Sequence, residues 1–154
     1  MSDTQKSQQR ILVADDDAEI LRQAKAALEA EGFEAITAGD GKEAYKLLQS
    51  EEPFAAAILD IVMPHIEGRE LVRYMQSERR LMKIPVIIMT TELNARLSSD
   101  SFSSGAAAFL PKPFTDAQLR TMLHMFVMNN AWQPGKFHVG SFLALWPYDT
   151  GPSK

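Results

Sequence analysis

The chain of 154 residues contains no cysteine. Disulfides, thiol catalysis and Cys-based metal sites are therefore excluded. No apolar stretch approaches the roughly 20 residues of a membrane-spanning helix. Basic charge is in deficit: 16 Lys+Arg against 20 Asp+Glu give a net charge of -4 and a pI near 5.4. The largest basic cluster is Arg79-Arg80, whereas a nucleic-acid footprint needs a basic stripe. Neither nucleic acid nor a membrane is an expected partner. The first nine residues lack the apolar core of a signal peptide, so the expectation is a short disordered lead over 1–9 and a cytoplasmic protein. Histidine is sparse, and His65, His124 and His138 are too scattered to suggest a metal site.

What is present is an alternation. Apolar runs of four to seven residues alternate with amphipathic stretches, which predicts strands over 11–14, 33–38, 54–59, 84–89 and 107–110. Between the first two, Ile20, Leu21, Ala24, Ala27 and Leu28 recur at helical spacing, with Asp17 as the cap and Gly32 as the stop. Asp40 caps a second helix carrying Ala44, Leu47 and Leu48. Helices over 68–79 and 93–104 follow the third and fourth strands, the latter weakened by five serines. Thr115-Asp-Ala-Gln118 is a capping-box pattern opening the last helix. Five strands alternating with five helices imply one domain over 10–130 built on a parallel α/β sheet.

In such sheets ligands bind outside the carboxyl ends of the strands. Asp15, Asp16, Asp60, Thr90 and Lys112 all fall at those ends. Two unit charges 4 Å apart repel by about 4 kcal/mol at an effective dielectric of 20, so converging carboxylates need a cation. With oxygen ligands and no cysteine, Mg²⁺ is the natural candidate. A carboxylate can act as a nucleophile on phosphorus and form an aspartyl phosphate. Lys112 and a Thr90 hydroxyl would then stabilise charge on the phosphoryl oxygens.

The segments Ile11-Leu-Val-Ala-Asp-Asp16, Ile58-Leu-Asp60 with Met63-Pro64 and Gly68, Pro85-Val-Ile-Ile-Met-Thr90, and Gly105-Ala-Ala-Ala-Phe-Leu-Pro-Lys-Pro-Phe114 resemble, as a set, the receiver domain of two-component response regulators of the stand-alone CheY-like kind. The resemblance implies a flavodoxin-like (βα)5 three-layer sandwich with sheet order 2-1-3-4-5. It implies Asp60 as phosphoacceptor, with a sensor histidine kinase or histidine phosphotransfer protein as donor. Asp15, Asp16, Asp60 and the Val62 backbone carbonyl would hold Mg²⁺, Asp15 through water. Thr90 and Lys112 would contact the phosphoryl group, Phe109 would be the switch aromatic, and the Lys112–Pro113 bond would be cis. Thr91, Glu92 and Val62 occupy positions that tune access and hydrolysis. Thr91 stands where the family usually has Ala or Gly, and Glu92 is the side chain able to orient or repel the attacking water. The implied output is binding of a downstream protein through the face of the fourth helix, fifth strand and fifth helix, without enzymatic turnover of a separate substrate.

The resemblance ends near residue 130. The remaining segment carries Trp132, Phe137, Val139, Phe142, Leu143, Leu145, Trp146 and Tyr148. Met125, Val127 and Met128 read as surplus apolar surface on the last helix. The expectation is that the tail over 131–154 covers that helix in its own chain, in a homodimer or against a partner. Two alternatives stay open: a scaffold protein assembled through the tail, and an aspartyl-phosphate-type phosphatase. The latter needs an Asp-x-Asp pair followed by Thr or Val, whereas Asp15-Asp-Asp17 continues with Ala-Glu.

Overall fold

The computed structural model describes residues 8–91 and 105–128. The expected helix over 93–104, Glu92, the lead over 1–7 and the tail from 129 onward lie outside the described residues. The elements are β1 (Arg10–Ala14), α1 (Ala18–Ala30), β2 (Glu34–Ala38), α2 (Gly41–Gln49), β3 (Ala56–Asp60), α3 (Gly68–Ser77), β4 (Val86–Thr90), β5 (Ala108–Pro111) and α4 (Asp116–Leu123). A π-helical turn, His124–Met128, extends α4. The strands are all parallel, in the order β2-β1-β3-β4-β5. The alternation implies a parallel sheet, and the resemblance implies this strand order.

The three central strands are buried on both faces, as parallel strands covered by helices must be. Every residue of β3 and β4 is buried. On one side α1 and α4 lie together, tied by the Arg120–Glu31 pair at 3.1 Å. On the other, α2 meets α3 through Tyr45 and Tyr74, whose rings are 4.7 Å apart. Helix ends follow their capping residues. Asp17 accepts the Glu19 N–H at 2.9 Å and Asp40 accepts the Glu43 N–H at 2.8 Å. Thr115 and Gln118 exchange both capping-box bonds, at 3.1 and 2.8 Å. At the end of α1, Gly32 has φ 91°, and the Gly32 and Phe33 N–H groups return to Glu29 and Leu28. That is a Schellman stop, which a Cβ would strain.

Several boundaries move from their expected places. β3 and β4 begin two residues later than predicted and end one later, so Asp60 and Thr90 are the last residues of strands. The apolar residues in front have other uses. Phe54 lies under the Arg10 guanidinium, 4.5 Å from its ring centre, and the Ile84 N–H closes a turn onto Leu81 O at 3.0 Å. β5 likewise runs one residue further, to Pro111, which pairs with Thr90 at the sheet edge, where a missing N–H is tolerated. α3 stops at Ser77, two residues early, because Glu78 is extended with ψ 123°. Leu47 is only partly buried. Of the expected surplus on the last helix, Val127 is buried and Met125 packs partly against the core, while Met128 is 44% exposed. Val127 lies four residues beyond Leu123 and eight beyond Leu119, so ordinary helical spacing carries it, with Phe126, onto the buried face.

Candidate functional site

The site is built at the carboxyl ends of β1, β3, β4 and β5. The Asp15 N–H donates to Ala38 O at 3.1 Å, continuing the β1–β2 pairing by one residue. Its side chain has no solvent exposure; Oδ1 accepts the Asp17 N–H at 2.8 Å and Oδ2 meets Lys112 Nζ at 2.9 Å. Asp16, the next residue along, is exposed. Asp60 is 6% exposed; its Oδ2 lies 3.2 Å from Lys112 Nζ, and its Oδ1 accepts the Val62 N–H at 3.4 Å. Carboxylate oxygens of Asp15, Asp16 and Asp60 lie within 4.8 Å of one another.

Thr90 is buried at the end of β4, and its carbonyl accepts the Lys112 N–H at 2.8 Å. That bond fixes the base of the lysine side chain. The Lys112–Pro113 peptide is cis. Phe109 is fully buried within β5. Val62 is 67% exposed beside Asp60, and Thr91 is exposed beyond Thr90. The structure thus brings together Asp15, Asp16, Asp60 and Lys112, with Thr90 at the end of the neighbouring strand.

The loop from 61 to 67 is held tightly against its surroundings. A Cβ on Gly68 would collide with the backbone oxygen of Asp60, so α3 starts in direct contact with the end of β3. A Cβ on Gly41 would overlap the Ile66 carbonyl, and the Gly41 N–H donates to Pro64 O at 3.3 Å. Sequence reasoning missed this second contact; its only trace was a glycine straight after the α2 cap, Asp40. Within the loop His65 has φ 74°. A left-handed conformation costs an L-residue roughly 1–2 kcal/mol, against roughly 0.5–1 kcal/mol of extra chain entropy lost by glycine on folding. His65→Gly is expected to raise the urea midpoint slightly, by a gain of about 0.5 kcal/mol.

The electrostatics are unbalanced. Burial raises the Asp60 pKa above 3.8, as does the charge of Asp15, against the opposing pull of Lys112. Burial alone would lower Lys112, but its hydrogen bond to Asp15 and the charges of Asp60 and Asp15 carry it above 10.5. Three carboxylates face one ammonium, a donor set of hard oxygens that fits a divalent cation such as Mg²⁺. Because the Asp60 pKa is raised, the native state holds its proton to higher pH than the unfolded chain does. Its unfavourable contribution therefore grows as pH rises from 3.8 through the folded value, and is full above that. Asp60→Asn removes it. In a chelator at pH 7 the variant is expected to be more stable than the parent by on the order of 1 kcal/mol, with the gain gone at pH 3; urea unfolding at both pH values reads this.

Residues 11–124 match the family described as the response regulator receiver domain. The chain belongs to that family. The chain is 33% identical over 110 residues to the response regulator MprA of Mycolicibacterium vanbaalenii, covering 71% of this chain and 46% of the relative. It is also 33% identical over 126 residues to the transcriptional regulatory protein CpxR of Escherichia coli, covering 80% of this chain and 51% of the relative. The receiver domain therefore spans about half the length of the curated relatives it matches. Among solved structures, Vibrio cholerae chemotaxis protein CheY4 superposes with a TM-score of 0.72 at 28% identity, covering 79% of this chain and all of the other. No helix among the described residues is long and apolar enough to cross a membrane.

Proposed function

We propose that this receiver domain takes a phosphoryl group onto Asp60 from the phosphohistidine of a sensor histidine kinase or a histidine phosphotransfer protein. The output is binding to a downstream protein. Asp60 Oδ attacks phosphorus, the P–N bond to the donor imidazole breaks, and that nitrogen leaves with the bonding pair. The observation that carries this reading is a buried strand-end carboxylate with an ammonium 3.2 Å away inside a cluster of three acids.

Asp15, Asp16, Asp60 and the Val62 carbonyl would hold Mg²⁺, which when bound neutralises negative charge at the reacting oxygens. Lys112, its backbone pinned, turns its ammonium from the carboxylates to the phosphoryl oxygens, and the Thr90 hydroxyl donates to one of them. Phe109 reports that movement to the surface. Val62, Thr91 and Glu92 set access and the lifetime of the adduct. The domain turns over nothing beyond its own phosphorylation and hydrolysis, and it works in the cytoplasm.

The test is mass spectrometry after incubation with acetyl phosphate and Mg²⁺. An alkali-labile phosphoryl adduct is expected on the parent chain, mapped to Asp60 and absent from Asp60→Asn. An adduct that persists in Asp60→Asn, or maps to Asp15, would refute the assignment and favour the phosphatase-type alternative.

A further inference from the structure

We propose that Gln23 is a positioning residue for Lys112, a role that rests on the phosphoacceptor reading of the site. Gln23 lies on α1, 91 residues from its partner; its Nε2 donates to the backbone oxygen of Phe114 at 2.7 Å, partly shielded from water. A carbonyl can only accept, so the side-chain amide must present its nitrogen, and the bond has a defined polarity.

The geometry gives this bond a purpose beyond joining two elements. Lys112, Pro113 and Phe114 form the short link between β5 and the Thr115 cap of α4. At the front of the link the Lys112 N–H is held by Thr90 O at 2.8 Å. At the back, the Phe114 carbonyl is held by Gln23. Between these two pins the lysine side chain reaches Asp15 and Asp60 at 2.9 and 3.2 Å. The backbone is thus fixed at both ends, and the side chain beyond it is held only through its ammonium, by Asp15 and Asp60. An ammonium that must shift from carboxylate to phosphoryl oxygens needs that combination.

Gln23→Met keeps the length and neutrality of the side chain and removes the donor. Acetyl phosphate uptake in Mg²⁺ is expected to slow about tenfold, part of the 10²-fold that an ångström of misplacement can cost. The second readout is the Lys112 ammonium resonance in lysine-labelled full-length protein, assigned by its loss in Lys112→Met. It is expected to shift or broaden in Gln23→Met without any phosphodonor. The control is Arg120→Gln, which loosens the same pair of helices by removing the Arg120–Glu31 contact at 3.1 Å but leaves the link untouched. It is expected to lower the urea midpoint and change neither readout. Parental behaviour of Gln23→Met in either readout overturns the proposal, as does an Arg120→Gln variant that reproduces both effects. If the parent chain takes up no phosphoryl group, the phosphoacceptor reading fails, and the ammonium resonance alone still decides whether Gln23 places Lys112.

Discussion

Lys112→Met is expected to cost about 3 kcal/mol of stability in metal-free buffer at pH 7, the low end of the 3–5 kcal/mol lost when one partner of a buried ion pair is removed. The lysine is the ammonium placed between Asp15 and Asp60, and its side chain is 14% exposed, while that of Asp15 is not exposed at all. Methionine retains the unbranched stem, and the backbone bond to Thr90 O does not involve the side chain. What disappears is charge. Two carboxylates then face each other with the exposed Asp16 close by. Like charges about 4 Å apart repel by about 4 kcal/mol at an effective dielectric of 20, and the opening toward Asp16 lets water screen part of that.

Two conditions should soften the loss, and both follow from its electrostatic origin. Lys112 opposes the upward shift of Asp60, so its removal raises that pKa further. The variant's native state then binds a proton more readily than its unfolded chain, and its deficit shrinks as pH falls into the carboxylate range. Added Mg²⁺ would replace the missing positive charge at the three acids. A cation at 100 times its Kd stabilises by about 2.7 kcal/mol, and the more negative Lys112→Met site binds it more tightly than the parent does. Urea unfolding in EDTA and in Mg²⁺ checks this. A deficit of equal size in both would mean that the lysine serves packing instead of charge balance.

Much of this was legible in the sequence because local patterns carry it. Asp17, Asp40 and Thr115 sit immediately before amphipathic stretches, and each caps its helix. Asp60 was legible as a strand-end acid because an unbroken apolar run stops there. The starts of strands were not, since Phe54 and Ile84 are as apolar as strand residues but pack under Arg10 and close a turn. Adjacent acids were equally opaque: Asp15 is buried and Asp16 exposed, a difference set by the direction in which the chain leaves β1. Long-range pairs of ordinary residues left no signal. Gln23 with Phe114 O, or Gly41 with Ile66, depend on how separate loops meet, and periodicity within one segment does not contain that.

The Gly41 contact supplies a contrast between two glycines only two positions apart. Gly41→Ala is expected to destabilise by about 2–3 kcal/mol, toward the upper part of the range for overpacking. Its Cβ would overlap the Ile66 carbonyl oxygen and lie 2.6 Å from the carbonyl carbon. Backbone atoms have no alternative rotamer, so the 61–67 loop or the start of α2 must move. A helix-interior Gly→Ala gain of about 1 kcal/mol is smaller at a first-turn position and does not offset this. Gly39→Ala is expected to be neutral or slightly stabilising, because its Cβ would meet only the Glu43 side chain, at 3.7 Å, and its backbone is not left-handed. The functional consequence is local to the loop. Val62 rides on that loop while Asp60 remains anchored in β3, so Gly41→Ala should weaken Mg²⁺ binding, measured by calorimetry, without displacing the Asp60 carboxylate. Equal stability and equal Mg²⁺ affinity in the Gly41 and Gly39 variants would show that the loop yields freely and that its seat on α2 does not shape the acidic site.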